Sequence, residues 1–113
     1  DGLGVGDVGH VGLRDRRQLA QDGILIVALS VDKESAQLLA GPDVVTRGFV
    51  YVKESEALIE DIRERVRQIY QRCLEQRLMD WFTIKAAIRE DLAKYLYERT
   101  KRRPMILPII LEI

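Results

Sequence analysis

The chain has 113 residues, 47% of them apolar, with 18 basic and 18 acidic side chains and a formal net charge of zero. That length holds one compact domain with a small core and excludes two full domains. Neutrality excludes a chain drawn onto nucleic acid or anionic lipid by its overall field, so any such affinity must be local, and no apolar run approaches the roughly 20 residues that cross a bilayer.

The opening, residues 1–12 (DGLGVGDVGHVG), holds five of the eight glycines and alternates small with apolar residues, which suits an extended, closely packed connector. It starts on Asp1-Gly2 without an initiator Met or a signal pattern, as expected of a piece of a longer polypeptide. Leu13 to Gln21 can form a short helix with Gly23 just past its end. Ile24 to Val31 (ILIVALSV) is rich in β-branched residues and apolar on both parities, so a central strand covered on both faces, or nearly so, is expected. Asp32 to Ser35 is a polar turn. A second extended stretch, Gln37 to Val52, is interrupted by Gly41-Pro42 and Gly48, giving a hairpin with a bent partner strand.

From Glu54 to Leu78, Leu58, Ile59, Ile62, Val66, Ile69, Tyr70, Cys73 and Leu74 recur three or four apart, the mark of an amphipathic helix. Ser55 is a candidate N-cap, and Glu56, Glu60 and Asp61 favour the positive end of the helix dipole. Asp80 is expected to cap a second helix that buries Ile84, Ile88, Leu92, Tyr95 and Leu96. Pro104 ends that helix, because it lacks an N–H and biases Arg103 away from helical geometry. Met105 to Ile113 reads as a last strand. The order strand, strand, helix, helix, strand closes most naturally as an α/β (α+β) two-layer unit, a three-stranded sheet with two helices on one face. Residues 1–22 are then a linker plus short helix, and residues 23–113 the domain.

No catalytic centre assembles from these residues. Gly4-Val5-Gly6-Asp7-Val8-Gly9 matches the dinucleotide fingerprint letter for letter, but only three residues precede Gly4, where a buried strand is needed, and Asp7 would oppose the phosphates. A tight connector is the preferred reading. His10 is the only histidine, too few for a multi-histidine metal site or a Ser-His-Asp arrangement. Cys73, the one cysteine, excludes an internal disulfide, suits a reducing compartment and lies on an apolar stripe, where a thiol acts as a small hydrophobe. Trp81 and Phe82 are expected to plug the junction between the helices. Arg99, Lys101, Arg102 and Arg103 form the one basic cluster. Cations there complement the helix dipole, and they are also the candidate RNA contacts, without an aromatic platform beside them.

DGLGVGDVG, LRDRR, GPDVVTRGFVYVKES and TKRRPMILPIILEI, in that order and spacing, resemble the C-terminal part of ribonuclease J, of the β-CASP metallo-β-lactamase group. The resemblance covers nearly the whole chain. It implies a connector leaving a catalytic region, then a small α/β C-terminal domain. It also implies a cytoplasmic bacterial parent that cleaves RNA as a 5′-to-3′ exonuclease and endonuclease, using two zinc-type metal ions held by a His-x-His-x-Asp-His motif. None of those ligands matches a residue here, and His10 stands where a polar residue such as Asn is expected. The chain is therefore expected to be non-catalytic, with no catalytic, cofactor or metal residues of its own. Its expected partners are a second copy (a homo-dimer), the catalytic region of the same polypeptide, and RNA through the whole enzyme, with neither membrane nor DNA.

Two roles follow. The first is assembly and support of the ribonuclease core, through an apolar surface of Ile106, Leu107, Ile109, Ile110 and Leu111, which put apolar groups on both faces of the last strand. The alternative is an auxiliary RNA-contacting module that guides substrate through the basic patch.

Overall fold

The computed structural model describes residues 22–49, 55–78 and 80–113. Strand β1 (Ile24–Val31) pairs antiparallel with β2 (Leu38–Arg47), and helices α1 (Ser55–Glu75) and α2 (Trp81–Thr100) follow before β3 (Met105–Glu112) returns to the sheet. β3 runs parallel to β1, so the sheet order is β2-β1-β3 with β1 in the centre. The Gly-rich connector and the short helix expected over Leu13 to Gln21 lie outside the described residues.

Alternation along β1 divides the sheet into two unlike faces. Leu25, Val27, Leu29 and Val31 are fully buried and form one core with Leu58, Ile62, Val66, Ile69, Tyr70 and Cys73 of α1 and Ile84, Ile88, Leu92 and Leu96 of α2. Both helices therefore lie on one side, α1 against β2 and α2 against β3. Ile24, Ile26, Ala28 and Ser30 point the other way and are only half-buried. The expectation that β1 is covered on both faces, or nearly so, is corrected to one sealed face and one half-buried face: among the described residues, two helices supply one layer and no element lies over the other face.

The hairpin bends where the sequence is interrupted. The register shifts between Ala28 and Ser30, opposite Gly41-Pro42, whose peptide bond is cis. Gly41 has a φ of 92°, and a Cβ there would lie 2.9 Å from the Ala28 carbonyl oxygen. Gly23 (φ 85°) meets the turn after β2 so closely that a Cβ would fall 2.4 Å from the Arg47 oxygen. Ahead of β2, the Asp32 carboxylate accepts the Glu34 and Ser35 amides at 3.1 and 2.6 Å. These bonds, chiefly to Ser35, hold its carboxyl below the ordinary value.

Helix α1 begins at Ser55, and the residues just ahead of it lie outside the described residues. It ends in a left-handed turn at Arg77 (φ 59°), where the amides of Arg77 and Leu78 reach back to the carbonyls of Leu74 and Cys73 at 3.0 and 2.9 Å. Those bonds satisfy carbonyls that the helix leaves open. Asp80 caps α2 as expected, accepting the Thr83 amide at 3.1 Å and the Thr83 hydroxyl at 2.9 Å. The α2 stripe Ile84, Ile88, Leu92, Leu96 is fully buried, while Tyr95 is only half-buried at its edge. Lys101 closes the helix in the left-handed region (φ 61°), its amide bonded to the Tyr97 carbonyl at 2.8 Å. Trp81 packs against the core and its Nε1 donates to Glu112 at 3.1 Å, whereas Phe82 is 70% exposed and plugs nothing among the described residues.

Pro108 sits inside β3 at low cost. The amides of Met105 and Ile113 point at β1, bonding to the carbonyls of Gly23 and Val31 at 2.9 Å each. By strand alternation the even-numbered positions of β3 turn their nitrogens to the outer edge, where a proline breaks no ladder bond.

Candidate functional site

The residues expected to form an apolar surface separate by parity. Ile106 is 5% exposed and belongs to the core, and Ile110 packs against that core from the same side. Ile106 is corrected from surface to interior and Ile110 to a half-buried position against the core, because alternate β3 residues face the helices. Leu107, Ile109 and Leu111 face the other way, and Ile109 and Leu111 are 40% and 51% exposed.

Register extends this open face across all three strands. Ile26 pairs with Val45 of β2 and with Leu107 of β3, making an apolar row through the middle. On one side lies the row Arg47–Ile24–Met105, and on the other Asp43–Ala28–Ile109. Directly opposed residues share a face, so Asp43, Val45 and Arg47 line one border of the patch. Val45 is 45% exposed, and Asp43 and Arg47 are exposed as well. These three were missed in the sequence because Gly41-Pro42 hides the register of β2; their own polar–apolar–polar alternation was the available signal.

The four basic residues at the end of α2 do different things. Arg99 donates to Asp61 of α1 and to the Tyr95 hydroxyl, the latter at 2.5 Å. The Asp61 bond is the main cause of its raised pKa. Arg65, itself paired with Asp91, lies 4.5 Å from the Tyr95 ring centroid, so Tyr95 sits between two guanidinium groups that each hold a carboxylate across the helix seam. Arg102 donates to the Phe49 carbonyl at 3.4 Å, and the Arg103 amide donates to Asp22 at 2.8 Å. Lys101 and Arg103 lie 5.4 and 4.2 Å from the centroid of Tyr97, a ring 38% exposed. A partly exposed tyrosine ring thus does lie beside the basic cluster. The signal was present as Tyr95/Arg99 and Tyr97/Lys101, pairs four apart on one helix.

Cys73 and Tyr70 belong to the interior. Cys73 is buried in the core, and burial pushes its thiol up. Tyr70 is buried too, its hydroxyl donating to the Ala36 carbonyl at 2.5 Å, and burial raises its pKa. Among the described residues no three His, Cys, Asp or Glu side chains are grouped as a metal centre requires. His10 and the GVGDVG run lie outside the described residues. No helix among the described residues is long and apolar enough to cross a membrane.

The family model of the ribonuclease J C-terminal domain matches residues 11–113. The chain belongs to the ribonuclease J C-terminal domain family. Over its full 113 residues it is 55% identical to ribonuclease J2 of Bacillus subtilis, 50% to ribonuclease J 2 of Staphylococcus saprophyticus and 48% to ribonuclease J 2 of Staphylococcus aureus. It spans about a fifth of the length of these curated relatives. The half-covered sheet and the Tyr97 cluster are thus features of a ribonuclease J C-terminal domain.

Proposed function

We propose that this ribonuclease J C-terminal domain is a non-catalytic assembly module that joins copies of an RNA-degrading enzyme and supports its metal-dependent core, with the open sheet face as the joining surface. The observation that carries this reading is the apolar row Val45–Ile26–Leu107, continued by Ile109 and Leu111, on the face of the sheet opposite the described helices. A contiguous apolar sheet face is costly to leave in water, and a matching surface removes that cost. Light scattering of the chain across the micromolar range tests it. A mass that rises from monomer to dimer with concentration supports it, and a strictly monomeric chain contradicts self-association.

A second reading is favoured by Tyr97 and its two cations. Arg and aromatic planes stack on nucleobases, and Lys and Arg meet phosphates, so this end of α2 suits single-stranded RNA. Binding measured by fluorescence anisotropy is then expected to weaken steeply with salt and to fall in Tyr97→Ala and Lys101→Ala. Absence of binding at low salt contradicts it.

A further inference from the structure

We infer that the second copy docks face to face about a two-fold axis running along the Val45–Ile26–Leu107 row, with Asp43 of each copy set against Arg47 of the other. This deepens the assembly reading and rests on it. The three-row pattern carries the argument. Rotation by a half turn about the middle row leaves each strand over its own counterpart with its direction reversed, so the row Arg47–Ile24–Met105 falls on the row Asp43–Ala28–Ile109.

Both consequences of that superposition are favourable. Each Arg47 meets an Asp43, giving two opposite-charge pairs at the border of the apolar area. Ile24, a large side chain, meets Ala28, a small one, which lets packed sheets interdigitate. Face-packed sheets lie about 10 Å apart, a gap that an arginine and an aspartate side chain span between them. Among the described residues Arg47 donates to the Thr46 carbonyl next to it at 3.0 Å, an exposed contact that a partner carboxylate can replace.

The edges of the sheet argue against the competing mode, in which copies extend the sheet strand to strand. β3 carries Pro108 with its nitrogen turned outward, which removes a donor from the middle of that edge. β2 carries Pro42 at a register shift, which interrupts the other edge. A face rimmed by matched charges, between two interrupted edges, selects stacking over strand addition.

Charge reversal tests the pairing. Sedimentation equilibrium is run on the wild-type chain, Asp43→Arg, Arg47→Asp and the double variant, each checked for wild-type circular dichroism. Either single reversal places like charges together twice and is expected to weaken dimerisation about tenfold or more. The double reversal is expected to restore it to within about threefold of wild type. A wild-type dimer indifferent to both single reversals overturns the pairing while leaving the assembly reading intact. Failure of the double variant to regain affinity also overturns it. A wild-type chain that stays monomeric overturns both.

Discussion

The two faces of β1 are built from similar residues and lead different lives. Leu25, Val27, Leu29 and Val31 are sealed beneath two helices, while Ile24, Ile26, Ala28 and Ser30 belong to a face that no described helix covers. Apolar content alone does not decide burial. The number of covering layers decides it, and the described residues supply one. A strand whose residues are apolar on both parities therefore implies a second layer from elsewhere, which is the physical basis for proposing a partner.

The largest expected contrast comes from truncating one residue on each face. Leu29→Ala should destabilise the fold by about 2–5 kcal/mol in urea unfolding, through lost burial and a residual cavity. Leu111→Ala should change the stability of the monomer by no more than about 0.5 kcal/mol. Equal losses would mean that the open face is a second core, and would remove the contrast. Gly23→Ala probes the turn where β1 begins: its positive φ and the 2.4 Å approach to the Arg47 oxygen predict a loss of about 2 kcal/mol or more.

Smaller effects test the helical layer that makes the faces unlike. Asp80→Ala removes the α2 cap and should cost about 1 kcal/mol by thermal or chemical unfolding. Arg77→Gly relieves a left-handed residue at the α1 terminus and should stabilise by about 0.5–1 kcal/mol. Asp32 gives the mildest, pH-dependent effect. Its carboxyl is held below the ordinary value of 3.8, so its contribution is fully present above that pH and is lost as acidification proceeds through the lower folded value. Asp32→Asn should flatten the acid limb of the stability profile relative to wild type; an unchanged limb would show that the Ser35 and Glu34 amides contribute nothing to stability.

Much of this architecture was legible in the sequence, for reasons that differ by element. Ile84, Ile88, Leu92 and Leu96 recur every fourth residue, so the buried stripe of α2 could be written down directly, and Asp80 announced its start. The apolar run of β1 identified a central strand but not how many layers cover it. In β3 both parities are apolar, so sequence could not tell that Ile106 faces helices and Leu107 does not; only the parallel register with β1 assigns them. The Arg99–Asp61 pair joins residues 38 apart in the chain and needs the helix packing to be seen. Tyr97 beside Lys101 was within reach of helical spacing alone. The candidate surface was therefore half legible: its residues in β3 were visible, and its border on β2 was hidden by the irregular Gly41-Pro42 step.

The claim that one face is sealed from within and the other from without is tested most directly by methyl-resolved solvent relaxation, using a soluble paramagnetic probe over a concentration series. The account predicts that methyls of Ile26, Val45, Leu107 and Ile109 become protected as concentration rises, while exposed Leu39, outside the three-row patch, stays unchanged. Methyl exposure that is the same at every concentration, or protection confined to residues off this face, would contradict it.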